Sequence, residues 1–153
     1  MFTILIVEDN KYWREMLHEI LDERFRFPVL AEAKDVEEAL AAIDSAHPDL
    51  IFLDINLPDG NGLELTRRLR AAGNDAAIAI YTLNDTPEYR DAARRSGANH
   101  FLVKGSASLG EIFGVVESAI ESRFKDLIVA EDAVVQLLGR LSTHDNSNHT
   151  GGG

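Results

Sequence analysis

The sequence predicts an α/β fold, a doubly wound parallel sheet, and three observations carry that expectation. Short Val/Ile/Leu-rich runs alternate with helical stretches in strict β-α succession. The runs are apolar throughout, as suits strands buried on both faces of a parallel sheet. Four of them stop on a polar residue: Val7 gives way to Glu8-Asp9, Leu53 to Asp54, Tyr81 to Thr82 and Val103 to Lys104. Ligands of open parallel sheets bind just outside the carboxyl ends of the strands, so these residues should gather on one rim.

Phe2 to Val7 is the first strand. From Asn10 to Arg24, Trp13, Met16, Leu17, Ile20 and Leu21 recur at helical spacing, and Pro28 bars that helix from continuing. A weaker second strand follows near 29–33. Asp35 with Glu38 forms a capping-box pattern and opens the second helix, through Ala39, Leu40 and Ile43, which ends before Pro48. The third strand, Leu50 to Leu53, leads into a Pro- and Gly-rich loop, Asn56 to Gly62. Leu63, Leu65 and Leu69 start the third helix, and Gly73-Asn74 stops it. A fourth strand (78–81), a helix after Thr86-Pro87 and a fifth strand (101–103) complete the series.

Beyond Lys104, Ser108 with Glu111 opens a fifth helix carrying Leu109, Ile112, Phe113, Val116 and Ile120. The apolar pattern continues through Leu127, Ala130, Val134, Leu137 and Leu141 in steps of three and four, with Arg123 breaking the register. A period near 3.5 suits a coiled-coil seam with a second copy. An extra helix folded on its own domain, or a linker to another domain, fits the pattern as well.

The 153 residues suit one domain. With 15 basic against 26 acidic residues the net charge is −11, which offers no electrostatic footprint for nucleic acid. Absence of cysteine excludes disulfides and thiolate metal sites and suits a reducing compartment. No run approaches the roughly 18–20 apolar residues of a membrane span, and Met1 leads directly into a strand. The expectation is a cytoplasmic domain without direct nucleic-acid or membrane contact.

Singly, the rim residues have plain explanations. Asp9 or Asn10 could cap the first helix, Asp54 could satisfy loop amides, Thr82 could be an ordinary strand residue and Lys104 a solvated charge. Together they make a chemical set. Asp9 and Asp54, with Glu8 directly or through water, offer the oxygen ligands that Mg²⁺ prefers. Lys104 supplies a point charge and Thr82 a hydroxyl for phosphoryl oxygens. An aspartate carboxylate can itself be the nucleophile, forming an aspartyl phosphate.

On these residues the sequence resembles the receiver domain of two-component response regulators. Ile4-Leu5-Ile6-Val7-Glu8-Asp9-Asn10 is similar to the family's opening strand and acidic pair. Asp54-Ile55-Asn56-Leu57-Pro58-Asp59-Gly60-Asn61-Gly62 is similar to its phosphorylation loop, and Thr82 and Lys104 to its switch hydroxyl and lysine. The resemblance covers about residues 1–124. It implies a flavodoxin-like (βα)5 sheet of order 2-1-3-4-5, followed by a helical extension over 125–142 and a disordered tail over 143–153.

The resemblance further implies that Asp54 accepts a phosphoryl group from a sensor histidine kinase or a histidine phosphotransfer protein. Mg²⁺ would be held by Asp9, Asp54 and the backbone carbonyl of Asn56, with Glu8 assisting. Thr82 and Phe101 would act as switch residues, altering partner binding through the face of the fourth helix, fifth strand and fifth helix. Such a chain is a signalling switch, not an enzyme with turnover. Gly105 stands where many receivers have proline, and Leu83 where the family often has a small residue. Three other readings remain: an unphosphorylated dimeric scaffold, the receiver part of a truncated transcription regulator, and a Mg²⁺-dependent phosphohydrolase. The last suffers because Asn56 occupies the place of the general acid.

Overall fold

The computed structural model describes residues 1–147. The chain divides into two compact units, Met1–Ala119 and the residues from Ile120 onward. The division falls within the fifth helix, whose buried residues, Ile112, Val115, Val116 and Ala119, end at the same point.

In the first unit five parallel strands, β1 (Thr3–Val7), β2 (Val29–Ala33), β3 (Leu50–Leu53), β4 (Ala77–Thr82) and β5 (His100–Val103), form a sheet of order β2-β1-β3-β4-β5. This is the flavodoxin-like order, and its direction reverses between β1 and β3. Val7 pairs with Leu53, Leu53 with Ile80, and Ile80 with Phe101, so β1 and β3 end level while β4 and β5 run two residues further. A two-residue ladder, Asn56-Leu57 against Gly60-Asn61, folds the loop after β3 back on itself and stands apart from the main sheet.

Among the described residues six helices alternate with and follow the strands: α1 (Lys11–Arg24), α2 (Val36–Ala46), α3 (Gly62–Ala71), α4 (Pro87–Ser96), α5 (Leu109–Arg123) and α6 (Lys125–Ser147). Their starts follow the capping residues. Asn10 accepts from the Trp13 amide at 3.2 Å, so Asn10 and not Asp9 is the cap of α1. Asp35 accepts from the Glu38 amide, while the Glu38 carboxylate reaches back to the amide of Lys34. Thr86 caps α4 with Pro87 in its first turn, and Ser108 accepts from the Glu111 amide ahead of α5.

Side chains of a strand alternate between the faces of its sheet. Leu5, Val7, Ile51, Leu53, Ile78 and Ile80 share one face with Ala39, Ile43, Leu63, Leu65, Leu69 and Ala93, which sets α2, α3 and α4 on that side. On the other face α1 and α5 meet, Phe25 at the end of α1 lying edge-on to Phe113 with centroids 5.7 Å apart. The core strands β1 and β3 are buried along their whole length, which accounts for their unbroken apolar runs.

At the carboxyl end one outcome follows the sequence expectation and one differs from it. Only Phe124 separates α5 from α6, a break where Arg123 interrupts the apolar register. The helix then continues past residue 143, where a disordered tail is expected, as far as Ser147. Neither glycine nor proline occurs between Arg140 and Asn148, so nothing in that stretch stops a helix already begun. Residues 148–153 of that expected tail lie outside the described residues.

Candidate functional site

Glu8, Asp54 and Lys104 follow the carboxyl ends of β1, β3 and β5 and converge there. All three are buried, with exposures of 4%, 8% and 6%, whereas Asp9 is exposed. Lys104 Nζ donates to Asp54 Oδ2 at 2.8 Å and forms a second ion pair with Glu8 Oε1. The Ile55 amide donates to Asp54 Oδ1 at 2.7 Å, and the Asn10 amide to Glu8 Oε2 at 3.4 Å. One ammonium thus faces two buried carboxylates. Burial raises the Glu8 pKa from its ordinary 4.5 to about 7; Lys104 opposes the rise and the Asp54 charge adds to it.

Oxygen atoms of Glu8, Asp9 and Asp54 lie within 4.8 Å of one another, so the cluster could hold a cation. The donor set fits Mg²⁺: all oxygen, mostly carboxylate, and carrying more negative charge than Lys104 balances. The loop that carries Asn56 is fastened at several points. The Gly62 amide donates to the Ile55 carbonyl at 2.7 Å, and Asn61 accepts from the amides of Leu63 and Glu64 as the cap of α3. Both carboxylate oxygens of Asp59 accept from the first amides of α2, Val36 at 2.7 Å and Glu37 at 3.0 Å. These bonds draw the Asp59 pKa below its ordinary value. Gly62 passes so close to Asp54 that an added Cβ would overlap the Asp54 carbonyl oxygen.

Thr82 is 1% exposed, and its hydroxyl accepts from the Asn84 amide at 3.3 Å and from Asn84 Nδ2 at 3.5 Å. Its carbonyl accepts from the Lys104 amide at 2.8 Å, which ties the backbones of the two residues together. Phe101 is half-buried against the core, with the Arg90 guanidinium 4.9 Å over its ring and Asp85 2.9 Å from Arg90. Leu83 is 66% exposed. Gly105 has φ of +83°, a left-handed conformation open to glycine at no steric cost, which explains glycine where resemblance favours proline.

Several neighbours escape sequence reasoning. Trp13 and Tyr81 stand edge to face, with the Lys104 ammonium 5.6 Å and 5.9 Å from their rings. Burial raises the Tyr81 pKa, and the Glu8 and Tyr12 charges act the same way. Arg14 is buried and donates to the backbone carbonyls of Glu8 and Asp9. Its signal is its spacing: 14, 17 and 21 are the buried positions of α1.

The family model described as the response regulator receiver domain matches residues 4–116. Among curated proteins, the chain is 33% identical over 101 residues to the transcriptional regulatory protein DegU of Brevibacillus brevis, covering 66% of this chain and 43% of that protein. It is 31% identical over 140 residues to the transcriptional regulatory protein PdtaR of Mycobacterium tuberculosis, covering 92% of this chain and 66% of that one. A two-component response regulator from Clostridium difficile superposes with a TM-score of 0.72 at 28% identity, over 79% of this chain and 97% of that one. The chain spans only part of the curated regulators it matches, 43% of DegU. No described helix is long and apolar enough to cross a membrane.

Proposed function

The chain belongs to the response regulator receiver domain family, and on that premise we propose that Asp54 is the phosphoacceptor of a cytoplasmic signalling switch. A carboxylate oxygen of Asp54 attacks the phosphorus of a phosphohistidine on a sensor histidine kinase or phosphotransfer protein. The P–N bond breaks, the imidazole leaves with its electron pair, and an aspartyl phosphate forms. The observation that carries this reading is the Lys104 ammonium shared between two buried carboxylates at the carboxyl ends of β1 and β3.

Asp9, Asp54 and the Asn56 carbonyl, with Glu8, would hold Mg²⁺, which supplies charge neutralisation for the transferring group. Lys104 gives up one carboxylate contact and meets a phosphoryl oxygen. The Thr82 hydroxyl, held by Asn84, turns to donate to another. Phe101 then packs further inward, and the face of α4, β5 and α5 changes its affinity for a partner. This is a population shift driven by contacts that only the phosphorylated form makes. Asn56 carries an amide and cannot serve as the acid of a phosphohydrolase.

Output is proposed through a second copy. Leu127, Val134, Leu137 and Leu141 of α6 are exposed by 56–66%, and their spacing is that of a coiled-coil seam. No direct nucleic-acid contact is proposed for this acidic chain. Incubation with Mg²⁺ and a small phosphodonor should add one phosphoryl group by mass spectrometry. The same gain in Asp54→Asn would defeat the assignment.

A further inference from the structure

The Glu8-Asp9 segment lies between two regular structures and belongs to neither. The Glu8 amide still bonds to the Ala33 carbonyl at 2.9 Å, extending the β1–β2 ladder by one step. The helical series begins at the Asn10 carbonyl, which accepts from the Arg14 amide at 3.0 Å. The carbonyls of Glu8 and Asp9 fall in the gap, where regular structure provides no donor. Arg14 fills that place: its Nη1 donates to Glu8 O at 2.9 Å and to Asp9 O at 3.2 Å.

The guanidinium is itself held from the other side. Arg14 Nε lies 3.7 Å from Glu32 Oε2 on β2, and the other oxygen of Glu32 is 3.0 Å from His18 Nδ1. The Arg14 side chain is 9% exposed, whereas those of Lys11 and Arg24 are 78% and 52% exposed. Burying a guanidinium costs free energy unless it is paired, so its placement behind the acidic pair calls for a reason.

We infer that Arg14 is a positioning residue for the cation site, holding the Glu8-Asp9 backbone so that both carboxylates face Asp54. The inference rests on the Mg²⁺ reading of that cluster. Arginine has the right shape for this, since one nitrogen spans two carbonyls while Nε remains for the β2 carboxylate. A lysine ammonium is a single point charge on a flexible stem and cannot keep all three contacts in one plane. Partners that orient ligands without touching the metal typically govern affinity by about 10–100-fold. Removing Arg14 should therefore act on cation affinity ahead of fold stability.

The test uses the full chain and its sole tryptophan, Trp13, as the Mg²⁺ reporter. In Arg14→Lys the Mg²⁺ Kd should rise about tenfold, with the metal-free melting temperature little changed. Phosphoryl incorporation from a small donor should fall at limiting Mg²⁺ and recover at saturating Mg²⁺. A role confined to fold stability would not produce that recovery. If Arg14→Lys does not fold, Glu32→Gln retains the guanidinium and should raise Kd about threefold, a milder version of the same loss. A variant Kd within twofold of wild type, or incorporation lost equally at both Mg²⁺ levels, overturns the inference. Absence of any wild-type Mg²⁺ response overturns the cation reading itself, and the inference with it.

Discussion

The Lys104 ammonium lies 2.8 Å from the Asp54 carboxylate, across fifty residues of sequence. The contact closes the sheet's edge from β3 to β5 over the intervening β4. It also means that the metal-free site is balanced chiefly by one lysine, whose second partner is Glu8.

Lys104→Ala should leave two buried carboxylates facing each other. Breaking a buried ion pair by removing one partner costs about 3–5 kcal/mol. Urea denaturation of the metal-free variant should show a loss near the lower end of that range, and Mg²⁺ should restore part of it. A loss no greater than that of a surface lysine would contradict the geometry.

Stability of the metal-free protein should fall as pH rises toward neutrality. Between 4.5 and about 7 the folded chain keeps a proton on Glu8 that the unfolded chain has released. That contribution is complete below 4.5, shrinks through the window and is gone above about 7. Glu8→Gln should remove this slope, as read from denaturation midpoints at a series of pH values. A wild-type and variant pair with parallel pH profiles would show that Glu8 is not raised.

Gly62→Ala should be far more damaging than a glycine-to-alanine change in a helix usually is. The new methyl group meets backbone, the Asp54 carbonyl, so the phosphoacceptor loop itself has to move. Overpacking of this kind typically costs about 1–3 kcal/mol, and the Trp13 response to Mg²⁺ should weaken with it. Gly114→Ala in α5, with nothing within 4 Å of the new atom, is the control and should be neutral or stabilising by up to about 1 kcal/mol. Equal effects at both positions, by thermal melting, would refute the close approach.

Val134→Asp combined with Leu137→Asp should abolish self-association through α6 without lowering the melting temperature of the first unit. Light scattering reads the mass and calorimetry the melt. A dimer of unchanged mass in the double variant would place the interface elsewhere.

The rim was legible in the sequence because a parallel sheet confines polar endings to one edge, and Glu8, Asp54, Thr82 and Lys104 are each the first polar residue after an apolar run. Helix starts at Asn10, Asp35, Thr86 and Ser108 were legible for a similar local reason: a capping side chain acts within three residues of itself. Arg14 was not, because its partners are backbone carbonyls and a glutamate on β2; a cation within a helical pattern otherwise reads as solvent-facing. The helical run to Ser147 was hidden by composition. Polar residues suggest a loose tail, but helix termination needs a stop signal, and that stretch has none.

The register that brings the strand ends to one rim carries a consequence for how this chain can tolerate changes of length. Deleting one residue within β3 would draw Ile55 toward the place of Asp54 and turn the strand's side chains to the opposite faces. A residue lost from the exposed part of a helix or its following turn leaves the strand pairing untouched. Insertions and deletions compatible with function should therefore accumulate on the amino-terminal side of the sheet, in the turns that lead into strands. The three links running from strand to helix at the opposite edge, after β1, β3 and β4, should keep their lengths.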